Sequence, residues 1–184
     1  IEEALLELNL EILHELQSKN TNVCSISPKE NNVINITPES KELGYVGTPK
    51  KINKERILNF INDKQIPIVV PLGLGDDGRI YNINADVAAG SIAKEIDARR
   101  LLLMTDVEGV IDENQKLISE INLNKANEML KNNIISGGMI PKINTCLDAI
   151  SNGVRGVVIV DGRKPHSILF ELFSDKGAGT LIRK

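Results

Sequence analysis

Four consecutive β-branched residues, Val157-Val158-Ile159-Val160, constrain this chain more than any other stretch. A run with no polar alternation fits a strand buried on both faces, and such strands belong to parallel sheets covered by helices. The surrounding pattern agrees. Ile1, Leu5, Leu8, Ile12 and Leu16 recur at helical spacing and predict an amphipathic helix over roughly the first 18 residues. Short strands are expected at Val23-Cys24-Ser25-Ile26 and Val33-Ile34-Asn35-Ile36, on either side of a polar turn from Pro28 to Asn32. Gly44, Gly47 and Pro49 should break any regular element, and Asn53 should cap a helix over Lys54 to Asp63.

Beyond this, a buried-looking strand is expected from Ile66 to Leu72, with Asp76-Asp77-Gly78 turning the chain into Arg79 to Ile83. Small residues mark a helix from Ala85 to Ala98, followed by a strand over Leu101 to Met104. Further helices fit Leu123 to Lys131, about Met139 to Ser151, and about Pro165 to Phe173, with a turn and strand from Gly177 to Ile182. Strands alternating with helices imply an α/β fold with a largely parallel sheet. At 184 residues this is one domain or a tight pair of lobes.

Composition narrows the function classes. Lys and Arg number 22 against 25 Asp and Glu, a net charge of −3, which argues against a nucleic-acid surface or an acidic-membrane surface. Three Phe, two Tyr and no Trp leave little for stacking platforms or aromatic cages. Cys24 and Cys146 match no zinc spacing and point to a reducing, cytoplasmic setting. No apolar run approaches the roughly 20 residues of a membrane span. The chain opens Ile1-Glu2-Glu3 without Met or a leading strand, so the expectation is a piece of a longer protein.

In open α/β sheets, ligands gather beyond the carboxyl ends of strands and against helix N-termini. Four polar segments are expected in such places. In the first, Tyr81 to Asp86, Asn84 and Asp86 suit a helix cap and first turn. Asn82 and Asn84, two apart, equally suit a pair of amides on one face of an extended run. In the second, Thr105 to Val110, Asp106 and Gly109 fit either a turn or the mouth of a nucleotide pocket. In the third, Ile135 to Lys142, Gly137-Gly138 lets backbone N–H groups approach an anion. Lys142 sits in the first helical turn, where the dipole disfavours a cation, and so suits a neighbouring phosphate. In the fourth, Asp161 to His166, His166 fits a surface residue as well as a functional one. No nucleophilic triad, metal-ligand spacing or GxxxxGK[ST] pattern is present.

Taken in order, Asn82-Ile83-Asn84-Ala85-Asp86, Thr105-Asp106-Val107-Glu108-Gly109-Val110, Ser136-Gly137-Gly138-Met139-Ile140-Pro141-Lys142 and Gly177-Ala178-Gly179-Thr180-Leu181-Ile182 resemble the later blocks of the N-acetylglutamate kinase family. That family lies within the wider amino-acid kinase superfamily. The resemblance is strong from Ile66 onward and weaker before. It implies a three-layer αβα sandwich with a mainly parallel open sheet, residues 1–97 being the remnant of an acetylglutamate-binding and dimerisation lobe and residues 98–184 the nucleotide-binding lobe. It implies phosphorylation of the γ-carboxylate of N-acetyl-L-glutamate by ATP with Mg2+, in arginine biosynthesis, by a cytoplasmic enzyme that is a homo-oligomer when complete.

By the same resemblance, Asn82 and Asn84 contact the acetylglutamate, Asp86 organises the active-site lysines, and Lys142 stabilises charge on the transferring phosphoryl group. Asp106, Val107, Glu108, Gly109, Val110 and Ile111, with Ile134, Ile135 and Ser136, line the ATP pocket. His166, Glu171 and Gly177 resemble positions near an arginine-inhibitor site. No protein-held metal is implied. The departures lie at the front: the strand with its lysine and Lys-x-Gly-Gly glycines, the triple-glycine loop and the substrate-holding arginine have no counterpart, Ser27-Pro28-Lys29-Glu30 stands where a glycine-containing turn is usual, and Pro49 replaces a β-branched residue. Two other readings stay open. One is a superfamily kinase acting on glutamate, aspartate, carbamate or UMP. The other is a non-catalytic nucleotide- or arginine-binding module.

Overall fold

Helix caps and a run of isoleucines organise the first half of the chain. The computed structural model describes residues 1–175 and 177–184, and the chain divides into two compact units, Ile1–Ile96 and Asp97–Lys184. The first contains α1 (Glu2–Ser18), β1 (Val23–Ile26), β2 (Ile34–Pro38), β3 (Gly47–Ile52), α2 (Lys54–Asn62), β4 (Ile66–Val69), β5 (Leu72–Gly75), β6 (Ile80–Asn82) and α3 (Ala85–Glu95). Asn53 caps α2 by accepting from the Arg56 N–H at 3.1 Å. Helix α1 packs on the parallel pair β1–β4 and is stitched there by one buried amide. Asn9 Nδ2 donates to the Ile68 carbonyl at 3.1 Å, and its Oδ1 accepts from the Ser25 hydroxyl.

The remaining strands form a four-stranded sheet in the order β3-β2-β5-β6, with β2 and β5 parallel and the outer pairs antiparallel. Ile26, Val33, Ile34, Ile36, Ile52, Ile57 and Ile83 fill the core with Tyr81 and Ala88. Each such aliphatic side chain contributes about 1.5–3 kcal/mol on burial.

Two expectations fail here for local reasons. Gly47 and Pro49 do not interrupt regular structure but lie inside β3. That strand is at the sheet edge, and its register with β2 shifts between Asn35 and Ile36, opposite Pro49. A bulge on an edge strand is where proline's missing N–H costs least. Gly44 stays outside the strand, at φ +66°. The single strand expected from Ile66 to Leu72 is two strands in different sheets. Ahead of β5, the Leu72 N–H donates across Pro71 to the Val70 carbonyl at 2.7 Å, a γ-turn. Ile66 is exposed rather than buried.

The second unit is built around the β-branched run. Its elements are β7 (Leu101–Thr105), β8 (Glu120–Asn122), α4 (Leu123–Lys131), α5 (Met139–Ser151), β9 (Gly156–Asp161), α6 (Ser167–Phe173) and β10 (Gly179–Arg183). The sheet order is β7-β9-β10-β8, with β7–β9 and β10–β8 parallel and β9–β10 antiparallel. Every residue of β9 is buried, and Val157 to Val160 are inaccessible to solvent. Ile143, Cys146, Ala149 and Ile150 of α5 and Ala126 and Met129 of α4 are buried in the same unit. Gly179 admits no side chain, since a Cβ there would stand 1.9 Å from the Ile159 carbonyl oxygen.

Among the described residues four strand pairings are parallel and three antiparallel, an α/β architecture. Helix ends are set by left-handed residues: Asp97 follows α3, three residues past Glu95 being expected as helix, and His166 delays α6 to Ser167.

Candidate functional site

Parallel pairing of β7 with β9 sets their carboxyl ends side by side, Thr105 against Asp161. The chain after β7 is then held by a side chain from β10. Thr180, fully buried, accepts from the Val110 N–H at 2.8 Å and donates to the Ile118 carbonyl at 2.6 Å. The Ile118 N–H returns a bond to the Val110 carbonyl at 2.9 Å, closing a small hairpin. At its tip Asp112 Oδ1 accepts from the N–H groups of Lys116 at 2.9 Å and Asn114 at 2.8 Å. These N–H bonds, Lys116 first, hold its carboxyl below the usual range. Gly109 is required: it adopts φ +145°, and a Cβ would meet Thr180 Oγ1 at 2.6 Å.

The facing wall comes from the connection between α4 and α5. The N–H groups of Ile134 and Ile135 both donate to the Met129 carbonyl, which turns the chain toward Ser136. Gly137 takes φ +56°, and neither it nor Gly138 has any atom within 4 Å of the position a Cβ would occupy. Between the walls lies a mainly apolar cavity of about 240 Å³. Val107, Glu108, Gly109, Val110, Ile111, Ile134, Ile135 and Ser136 line it together with Met139, the first residue of α5. Eight of the nine residues expected at an ATP pocket thus meet around one space. Asp106 stays outside its lining, on the exposed approach. The volume is just below the ~300–1,000 Å³ of small-molecule pockets. The α5 N-terminus beside it favours negative charge. Lys142, half-buried, lies in the first turn of that helix.

A second loop, after β9, adds charge. Asp161 is 2% exposed and accepts from the Arg163 N–H, Nε and Nη2, each at 3.0 Å. The Arg163 guanidinium and N–H beside it bring its pKa down to about 2. Lys164 Nζ donates to Glu108 Oε1 at 2.5 Å.

In the first unit, Asn84 caps α3, its Oδ1 accepting from the N–H groups of Asp86 at 3.0 Å and Val87 at 3.3 Å. The capping alternative is therefore realised, and Asp86 is half-buried in the first turn. Asn82 ends β6, and its N–H donates to the Tyr45 carbonyl at 2.8 Å. It lines a cavity of about 350 Å³ with Leu43, Tyr45, Val46, Leu72 and Ile80. The two amides have different local tasks: one is a cap and the other borders a cavity.

Of the three residues expected at an effector site, the structure joins two. Glu171, buried, accepts from the Ala178 N–H at 2.9 Å and pairs with Arg100 at 3.4 Å. A Cβ on Gly177 would lie 2.8 Å from Glu171 Oε2. Both line a polar cavity of about 230 Å³ with Arg100, Glu120, Ser174 and Asp175, whereas His166 is exposed ahead of α6 and is not in that lining. Sequence reasoning missed Thr180, Met139 and Arg100. Thr180 and Met139 stand inside blocks already singled out, but their contacts depend on pairings remote in sequence. Among the described residues no three His, Cys, Asp or Glu side chains gather as metal ligands, and no helix is long and apolar enough to cross a membrane.

Comparison with known proteins gives the family and the fold. The model of the amino acid kinase family matches residues 1–161. An acetylglutamate kinase of Pelagibacter ubique is 54% identical over 184 residues, all of this chain and 64% of that protein. One from Clostridioides difficile is 44% identical over 97% of this chain and 64% of its own length. The chain thus spans under two thirds of these relatives. The solved structure of smu.665 from Streptococcus mutans superposes with a TM-score of 0.84 at 31% identity, covering 100% of this chain and 70% of that one. A Giardia carbamate kinase shares the fold, with a TM-score of 0.67 at 18% identity over 93% of this chain and 66% of that one.

Proposed function

The chain belongs to the amino acid kinase family, and from that premise we propose that the protein transfers the γ-phosphoryl group of MgATP to the γ-carboxylate of N-acetyl-L-glutamate. The relatives named acetylglutamate kinase support this acceptor. One observation carries the nucleotide half: the apolar cavity between the loop after β7 and the connection to α5, opening beside that helix's N-terminus.

Residues 98–184 take the nucleotide in this reading, and residues 1–97 the acyl acceptor and the contacts of a homo-oligomer. Phosphoryl transfer asks little covalent chemistry of a protein and much positioning and charge neutralisation. Val107, Gly109, Val110, Ile111, Ile134 and Ile135 hold the base by apolar contact, with Glu108, Ser136 and Asp106 at the polar edge. The α5 N-terminus draws the phosphates, and Lys142 meets the charge that develops on the transferred group. Asn82 and Asn84 recognise the polar acceptor, and Asp86 has the organising role that the resemblance implies. Mg2+ arrives with ATP as part of the substrate. The setting is the cytoplasm and the pathway arginine biosynthesis.

A site for arginine belongs to the same proposal. The cavity at Glu171 and Gly177 is bordered by Glu120 and Asp175, and its carboxylates already hold guanidinium groups, Glu171 that of Arg100 and Glu120 that of Arg183. His166 is the third residue assigned to this role, from outside the cavity lining.

The test is acyl-phosphate formation by the complete protein, trapped with hydroxylamine while ADP release is followed. Turnover should depend on N-acetyl-L-glutamate. Turnover with glutamate, aspartate, carbamate or UMP but none with N-acetyl-L-glutamate would overturn the acceptor. MgATP binding without turnover on any of them would favour a binding module.

A further inference from the structure

The loops after β7 and β9 run side by side, tied where the Gly162 N–H donates to the Thr105 carbonyl at 2.8 Å. The first brings two exposed carboxylates, Asp106 and Glu108, to the approach and wall of the cavity. Such an arrangement repels a polyanionic ligand, since like charges at close range cost energy even in a solvated cleft. The second loop brings two cations. Arg163 is anchored through Asp161, and that carboxylate, followed by Asp106 and Glu108, raises the pKa of its guanidinium. Lys164 reaches across to Glu108.

The Lys164–Glu108 pair is half-exposed on both sides, so as a stability element it is worth ~0–1 kcal/mol. Its electrostatic effect on the cavity is a separate matter. A carboxylate on a pocket wall sets the local potential whether or not it stabilises the fold.

We propose that Arg163 and Lys164 form a charge-compensating brace, which offsets Asp106 and Glu108 so that the cavity accepts a nucleoside polyphosphate rather than a bare nucleoside. This rests on the nucleotide reading and deepens it. Both are positioning residues: Lys164 acts through Glu108, and Arg163 through Asp161 and the loop that carries Asp106. The brace supplies selectivity for charge, and the apolar walls supply affinity for the base.

Calorimetric titration of the complete protein with MgATP and, separately, with adenosine tests this. Lys164→Met, an exposed change that leaves the core untouched, should weaken MgATP about tenfold, a shift of ~1.4 kcal/mol. Adenosine binding should stay within about twofold, and the difference should shrink at 1 M salt, where the screening length is about 3 Å. The conservative variant Lys164→Arg, which keeps a cation beside Glu108, should hold MgATP binding within about twofold. Equal losses for MgATP and adenosine, no loss for either, or a loss in Lys164→Arg as large as in Lys164→Met would overturn the inference. Complete wild-type protein that binds neither ligand would overturn the nucleotide reading and this inference together. Wild-type binding matched by an unchanged Lys164→Met overturns the inference alone.

Discussion

A buried polar side chain acts as a stitch in each unit, Asn9 in the first and Thr180 in the second, and the two do different work. Asn9 in the first unit fastens α1 to both strands of the β1–β4 pair, so it joins scaffold to scaffold. Thr180 in the second joins Val110 to Ile118, and with Gly109 it forms a wall of the cavity. Buried polar groups cost most when one partner is removed and the other left unpaired. The same kind of bond therefore protects stability in one place and cavity shape in the other. Where a stitch ends, more than its strength, decides what its loss disturbs.

The largest effect expected lies beyond either stitch. Lys142→Ala should lower kcat of the complete enzyme by about 10²–10³ while nearly preserving its melting temperature, by analogy with removal of one transition-state charge donor. Near-normal turnover would remove Lys142 from the chemistry. Thr180→Val should cost about 1–3 kcal/mol in urea denaturation by stranding the Val110 N–H and the Ile118 carbonyl, and should also weaken MgATP. Asn9→Leu should lower stability by a similar ~1–3 kcal/mol but leave MgATP affinity within about twofold. If Asn9→Leu weakened nucleotide as much as Thr180→Val does, the distinction between the stitches would collapse.

Acid gives the smallest and most local effect. The folded-state pKa of Asp161, about 2, lies below an ordinary carboxylate value. Its ionised form thus favours the folded chain above about pH 4, and that contribution is lost as pH falls from about 4 toward 2. Asp161→Asn should flatten this part of the pH–stability curve. An unchanged acid limb would show that Arg163 gives Asp161 no net advantage.

The sequence revealed the second unit better than the first, for reasons of period and distance. Val157 to Val160 has no alternation, and β9 is buried throughout. Leu123 to Lys131 and Met139 to Ser151 are amphipathic at helical period, and α4 and α5 occupy those ranges. Strand β8 escaped notice because Glu120–Asn122 offers only Ile121 to the interior, too little for any period. Pro49 misled because proline's penalty depends on whether its strand is central or at an edge, which only pairing decides. At the cavity, the glycine-marked segments were visible as local signals. Thr180 was not visible as their support, since it lies 70 residues from Val110 and reaches it only through the pairing of β10.

The empty space beside Gly138 distinguishes two reasons for a glycine. Gly137 needs its positive φ, but Gly138 sits at φ −64°, ψ −12°, with nothing near a would-be methyl group. The folded chain alone therefore places no demand on that position. Gly138→Ala should leave the protein as stable as before, or firmer by ~0.4–1 kcal/mol through a less flexible unfolded chain. Any binding lost in that variant would measure room reserved for a visitor. Position 138 can thus report occupancy without the confusion of damage.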